Sequence, residues 1–123
     1  MINKLILIYA LPESDREEVS AALAGAGLPS FFVPESSFSL SLREVLEFRA
    51  GGEKAREINE PFAVLHGLTG EELDAALKAL RGGPVSLKAI TTPHNLEWSG
   101  EKLFGDLKRE REAIRKARGK RGR

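Results

Sequence analysis

A chain of 123 residues, 41% hydrophobic and 30% charged, suits one globular domain and is too apolar to remain disordered. It has no cysteine, which excludes disulfides, thiolate catalysis, iron–sulfur clusters and thiolate zinc sites. The net charge of +1 hides an asymmetry: the last nine residues carry six cations and no acid, so 13 of the 19 basic residues face all 18 acidic ones in the remainder.

The run Lys4 to Tyr9 (KLILIY) has the apolar, partly β-branched pattern of a strand buried on both faces. The apolar stretch is far short of the ~20 residues a membrane helix needs. It leads into Pro12-Glu13-Ser14-Asp15-Arg16 and not into a small-residue cleavage site, so a cytoplasmic protein with no membrane partner is expected. Ser14-Asp15-Arg16-Glu17 has the spacing of a capping box, in which each side chain satisfies the other residue's backbone N–H. Val19, Ala22, Leu23 and Ala26 then fall on one face of a helix, and Gly25, Gly27 and Pro29 end it. Ser30 to Val33 reads as a second strand closed by Pro34. Ser41-Leu42-Arg43-Glu44 is another capping box, with Leu40 and Val45 spaced for a hydrophobic staple and a helix of about two turns running through Phe48. Ala50-Gly51-Gly52 opens a polar connector to Glu60.

The pattern then recurs. Pro61 to His66 is a strand, Thr69-Gly70-Glu71-Glu72 a cap, and Leu73, Ala76, Leu77 and Leu80 an apolar helical stripe. Gly82-Gly83-Pro84 stops that helix and Val85 to Thr91 alternates as a strand. Ser99 caps the last helix, whose apolar side is Leu103, Phe104, Leu107 and Ile114. The order matches the first half down to Pro34 against Pro93, Leu40 against Trp98 and Ser41 against Ser99. An α/β fold is therefore expected: two pseudo-repeated βαβα halves, residues 4–49 and 61–114, forming a small, mainly parallel four-stranded sheet flanked by helices. Residues 1–114 form a single domain in this reading, and residues 115–123 a basic flexible tail. How the halves join is left open. If the first and third strands are neighbours, Tyr9 and His66 become equivalent positions meeting near the pseudo-symmetry axis.

Ligands in open α/β sheets bind beyond the carboxyl ends of the strands. Those ends carry Tyr9, Pro34-Glu35-Ser36-Ser37, His66-Gly67 and Thr91-Thr92-Pro93-His94-Asn95, with Trp98 just beyond. Tyr9, His66, Thr91, Thr92, His94, Asn95 and Trp98 are thus the candidate ligand-binding residues, with the histidines able to exchange protons near neutral pH. Each also has a scaffold reading. Thr92 is held extended before proline, Asn95 can make an Asx-turn, and Trp98 is a staple residue. Gly25-Ala26-Gly27 ends a helix and so is no dinucleotide fingerprint, Gly100-Glu101-Lys102 lacks a phosphate cradle, and no Gly-x-Ser-x-Gly elbow occurs. No catalytic set, metal site or cofactor is expected.

The tail carries Arg115, Lys116, Arg118, Lys120, Arg121 and Arg123, which can neutralise phosphates in weak, sequence-blind contact with nucleic acid. Lys108 to Ala117 continues the last helix in this reading, with Glu112 and Lys116 as an i,i+4 pair and Gly119 and Gly122 loosening the final residues.

Pro61-Phe62-Ala63-Val64-Leu65-His66-Gly67-Leu68, Glu71-Glu72-Leu73-Asp74, Leu87-Lys88-Ala89-Ile90-Thr91-Thr92-Pro93-His94-Asn95 and Trp98 together resemble the bacterial domain of unknown function 3783 family. His94 stands where that family's pattern has threonine, and Arg111 where it has a histidine after glutamate. The resemblance implies a small stand-alone bacterial protein and stresses Thr92, Pro93, Asn95 and Trp98, without implying an activity. Three functions are therefore carried forward: a non-enzymatic module binding a ligand, a protein partner or a second copy of itself; a nucleic-acid accessory protein using the tail; and an enzyme with a small polar site at His66, with Tyr9 or Thr91 beside it.

Overall fold

All five residues of strand β1, Leu5–Tyr9, are buried, as an unbroken apolar run with no polar face requires. The computed structural model describes the backbone of residues 3–52 and 58–121 and side chains as far as residue 118. In chain order β1 is followed by α1 (Glu13–Gly25), β2 (Ser30–Phe32), a 3₁₀ turn (Glu35–Ser37) and α2 (Leu42–Leu46). The second half repeats that order as β3 (Phe62–His66), α3 (Gly70–Leu80), β4 (Leu87–Ile90), a 3₁₀ turn (Asn95–Glu97) and α4 (Gly100–Arg121). The result is a mixed α/β fold with an open four-stranded sheet and four helices.

The sheet order is β2-β1-β3-β4. Within each half the strands are parallel, β1 with β2 and β3 with β4, as a helical crossover demands. Between the halves the pairing is antiparallel, with Leu5 opposite His66, Leu7 opposite Val64 and Tyr9 opposite Phe62. A mainly parallel sheet therefore holds only for the outer pairs, and its centre runs the other way. Each half extends its outer pair by one equivalent bond: Val33 N–H donates to the Ile8 carbonyl (2.9 Å) and Thr91 N–H to that of Leu65 (3.1 Å).

Alternation along the strands splits the core in two. Leu5, Leu7, Tyr9, Phe62, Val64 and Leu87 pack under α2 and α4, while Ile6, Ile8, Ala63 and Leu65 pack under α1 and α3. On α1 only Val19 and Leu23 of the expected stripe are buried, and Ala26 is exposed. On α3 Ala76 and Leu80 are buried, whereas Leu77 is 36% exposed and lies outside the core cluster under α1 and α3.

Local chemistry explains the helix ends. Ser41 with Glu44 and Thr69 with Glu72 form capping boxes, and Ser99 Oγ accepts from Lys102 N–H. Ser14 does not cap α1. Pro12, with its fixed φ of −56°, precedes the first helical residue and its carbonyl accepts from Asp15 N–H, so Ser14 lies inside the first turn. Helix α1 stops in a Schellman motif, with Gly27 at φ +75° and Leu28 N–H donating to the Leu23 carbonyl. Helix α2 stops the same way, but its left-handed position is Phe48 at φ +58°, so the helix ends at Leu46 and not at Phe48. The Phe48 ring, 55% exposed, meets Phe31 edge-on at 5.5 Å.

Helix α4 departs most from expectation. It continues to Arg121, through most of the segment read as a flexible tail. Arg109–Asp106 and Arg115–Glu112 contacts of 3.4 Å support it, so Glu112 engages Arg115 in place of the expected Lys116.

After β1 and after β3 the chain turns through a left-handed residue, Ala10 (φ +58°) and Gly67 (φ +71°). At Gly67 a Cβ would stand 1.8 Å from the Asn3 carbonyl oxygen, whereas Ala10 already carries one. Gly67→Ala should therefore destabilise the fold by at least ~2 kcal/mol through strain and clash. Ala10→Gly should shift stability by less than ~1 kcal/mol. Urea unfolding midpoints check both, and equal effects would contradict the close approach at Asn3.

Candidate functional site

The antiparallel centre of the sheet disperses the residues that the sequence grouped. Tyr9 pairs with Phe62 and His66 with Leu5, so Tyr9 and His66 lie at opposite ends of the pair. Four residues of strand separate them, about 13 Å. They do not meet at the axis, and no acid–base pair forms between them.

Tyr9 is wholly buried. Its ring stacks on Phe62 at 4.5 Å and tilts against Phe38 at 5.7 Å. Helix α4 starts directly on that ring, where a Cβ on Gly100 would lie 2.4 Å from Tyr9 Cε2. The Tyr9 hydroxyl has no hydrogen-bond partner among the described residues, and burial holds its pKa well above the ordinary tyrosine value. Such a group packs; it does not exchange protons near neutral pH.

His66 and Thr91 do come together. His66 Nδ1 lies 2.8 Å from Thr91 Oγ1, joining the ends of β3 and β4. Beyond them the chain locks itself. Thr92 N–H donates to Asn95 Oδ1 (2.8 Å), Asn95 N–H to Thr92 Oγ1 (3.0 Å), and Asn95 Nδ2 to the Ile90 carbonyl (3.0 Å). This reciprocal clasp uses both ends of the buried Asn95 amide. Pro93 suits the loop because it fixes φ and its missing donor is not called on.

His94 is exposed and lies edge-on to Trp98, ring centroids 5.2 Å apart. The Lys102 ammonium sits over the same indole, 4.7 Å from the Trp98 centroid. Trp98 also joins the halves: its carbonyl accepts from Leu42 N–H (2.9 Å), beside an antiparallel bridge between the two helix caps, Ser41 and Ser99. The Arg43–Glu97 pair at 2.7 Å reinforces this junction.

Two further ion pairs, like Arg43–Glu97, had no signal in sequence. Lys4 pairs with Glu72, tying the start of β1 to α3. Arg111 grips Glu60 through both guanidinium ends, at 2.5 and 2.9 Å, and anchors α4 to the entry of β3. The partners lie 51 positions apart, so nothing local could have revealed the pair. Hydrogen bonds from Arg111 hold the Glu60 carboxyl below the ordinary carboxylate value.

Among the described residues no group of three or more histidine, aspartate or glutamate side chains is placed to hold a metal ion. Among them, too, no helix is long and apolar enough to cross a membrane. Of the strand ends that drew attention, only that of β2 borders one of the hollows described here, through Pro34, Ser36 and Ser37. One of about 180 Å³ adjoins Phe31, Phe48 and Arg49, and two larger ones run along α4. Of the tail cations, Arg115, Lys116 and Arg118 are exposed on helix, Lys120 and Arg121 continue its backbone, and Arg123 lies outside the described residues.

Residues 61–114 match the family model described as Domain of unknown function (DUF3783). The second half of this chain is similar to the DUF3783 family. The matched segment starts just before β3 and ends within α4, so the DUF3783 unit here is one βαβα half, containing the His66–Thr91 contact, the Asn95 clasp and Trp98. No curated protein and no solved structure matches the chain.

Asn95→Ala should lower stability by about 1–2 kcal/mol, since it removes two side-chain bonds made from a buried position. His94→Ala, at an exposed position, should stay within about 0.5 kcal/mol. Thermal and urea unfolding separate the two. Glu60 is one of three carboxyls, with Glu44 and Glu72, whose pKa values are lowered in the fold and so contribute to the pH response. Because its folded pKa is lowered, its contribution is complete above the unfolded value of 4.5 and is lost as the pH falls through the folded value. Glu60→Gln should therefore be less stable than the parent at neutral pH, with the gap closing below pH 4.5. A gap that widened in acid would contradict the pair.

Proposed function

We propose that this protein is a non-enzymatic binding module that presents the exposed half of α4 to an anionic partner. The observation that carries this reading is that α4 outruns its own fold. Buried positions on α4 end at Leu107, and from 109 to 118 every residue except half-buried Arg111 is exposed. A helical segment exposed on nearly all sides gains little from its own packing. Its excess cations give it a reason to be there, because they are set apart in the chain from a body that carries a net charge of −5 once residues 115–123 are set aside. Nucleic acid is the anionic partner that such clustered lysine and arginine suits, in a cytoplasmic setting that the absence of cysteine favours.

A second reading places a small ligand at the exposed Thr92 and His94 beside Trp98. The enzyme reading has lost its Tyr9 component and retains only the His66–Thr91 contact. The halves themselves read as an internal duplication. The repeated element order, the equivalent bonds from Val33 and Thr91, and the pairing of Ser41 with Ser99 support it.

Removing residues 115–123 tests the main reading. The full chain should bind a mixed-sequence RNA with an affinity that falls steeply between about 50 and 200 mM salt, and the shortened chain should lose most of that binding. Unchanged affinity after truncation would take the end of α4 out of the function. A change in melting temperature on adding mononucleotides, abolished by Trp98→Ala, would favour the small-ligand reading instead.

A further inference from the structure

The two outer strands leave the sheet with unlike edges. Thr91 N–H donates to β3, so along β4 the backbone groups of Lys88 and Ile90 face outward. Side chains close part of that edge: Lys88 Nζ donates to the Ser86 carbonyl (3.5 Å) and Asn95 Nδ2 to that of Ile90 (3.0 Å). On the other side, Ile6 N–H donates to the Pro29 carbonyl and Val33 N–H to that of Ile8, which turns the backbone groups of Phe31 towards β1. The N–H and C=O of Ser30 and of Phe32 therefore face outward from β2, and no described residue bonds them.

Beside this open edge lies the hollow of about 180 Å³ walled by Phe31, Pro34, Val45 and Phe48. Phe48 is 55% exposed and meets Phe31 edge-on at 5.5 Å. It holds φ +58° in the turn that ends α2, a position that glycine fills without steric cost. A bulky aromatic kept in that conformation and left in solvent points to a contact outside the fold. Charge does not draw a partner here. Arg49 on the wall already lies 3.5 Å from Glu47 and 3.8 Å from Glu44, so the patch offers little to a polyanion or a polycation.

We propose that β2 pairs with the β2 of a second copy of this chain, antiparallel about a two-fold axis at Phe31, with Phe48 of each copy covering the junction. The occupant follows from the pattern of free groups. Ser30 of one copy stands opposite Phe32 of the other, and each such pair exchanges N–H to C=O bonds in both directions, so no outward group is left over. Phe31 falls opposite its own counterpart, at a position without cross-strand hydrogen bonds where side chains come closest. Leu28 N–H is engaged by the Leu23 carbonyl and Pro34 has no N–H, so a longer strand from another protein finds no further donors. An isologous contact of this kind closes on itself as a dimer. It uses the opposite edge of the sheet from β4 and no residue of α4, and so stands or falls apart from binding at that helix.

The test is sedimentation velocity of the full chain from about 5 to 500 µM, over which monomer should pass to dimer. Hydrogen exchange at the Phe32 amide should slow as the concentration rises, while the Phe31 amide, bonded within the sheet, stays protected throughout. Phe48→Gly should raise the dissociation constant at least ~10-fold without lowering the urea midpoint, since glycine suits the left-handed position. Ser30→Pro removes an N–H that the fold does not use, and should abolish the dimer while circular dichroism stays unchanged. Ile90→Ser, at an exposed apolar side chain on the other edge, should change the dissociation constant less than ~2-fold. A parent chain that stays monomeric over the whole range would overturn the proposal. So would a dimer that survives both Phe48→Gly and Ser30→Pro, or one that Ile90→Ser weakens as much as Phe48→Gly does.

Discussion

The antiparallel pairing of β1 with β3 is the constraint on which the rest of this structure depends. Each half can satisfy only its own crossover, joining two parallel strands through one helix. The remaining edge of each inner strand is apolar on both faces and full of unpaired backbone groups, so it must find a partner. The two inner edges find each other, and the register centred on Leu7 and Val64 brings β1 and β3 into full overlap. That choice puts α1 and α3 together on one face and α2 and α4 on the other. It also sends the carboxyl ends of β1 and β3 to opposite ends of the sheet, which is why Tyr9 and His66 have unlike surroundings. One stacks on Phe62 in the core and the other bonds Thr91 near the surface.

The connections after β2 and β4 partly undo this separation. They return over the same face and meet where Ser41 and Ser99 form a bridge, supported by the Trp98 carbonyl and the Arg43–Glu97 pair. Equivalent segments of the two halves thus converge at their helix caps and not at their strand ends. From that junction the helices diverge in use. Helix α2 stops after five residues in a Schellman turn that forces Phe48 into the left-handed region. Helix α4 meets no such stop, starts on the Tyr9 ring through Gly100, and is held at mid-length by the Arg111–Glu60 pair before leaving the core.

The unequal helices also separate charge. The body carries the excess of acid and the end of α4 the excess of base, so the molecule is electrically bipolar although nearly neutral. A projecting helix held by one bidentate anchor is easily reached from solvent, and its cations escape the desolvation penalty of buried ones. Fixing Lys102 on Trp98 and Lys108 on Phe104 links the start of that helix to the junction between the halves.

The sequence by itself determined the strands, the two capping boxes at Ser41 and Thr69, the glycine stops and the family likeness of residues 61–114, because each is written in neighbouring side chains or a contiguous motif. It also marked Thr92 and Asn95, whose clasp spans only three residues and is a local property. Ser14 misled because a capping pattern competes with a proline two positions earlier, and the proline's fixed φ prevailed. Only the tertiary structure decided the direction of β1 against β3, since an apolar edge accepts either orientation with almost the same local pattern. That direction in turn set the parting of Tyr9 and His66, and the tertiary structure also made the Glu60–Arg111 anchor across 51 residues. These depend on which surfaces are brought together, and long-range pairing of that kind leaves no periodic trace in the chain.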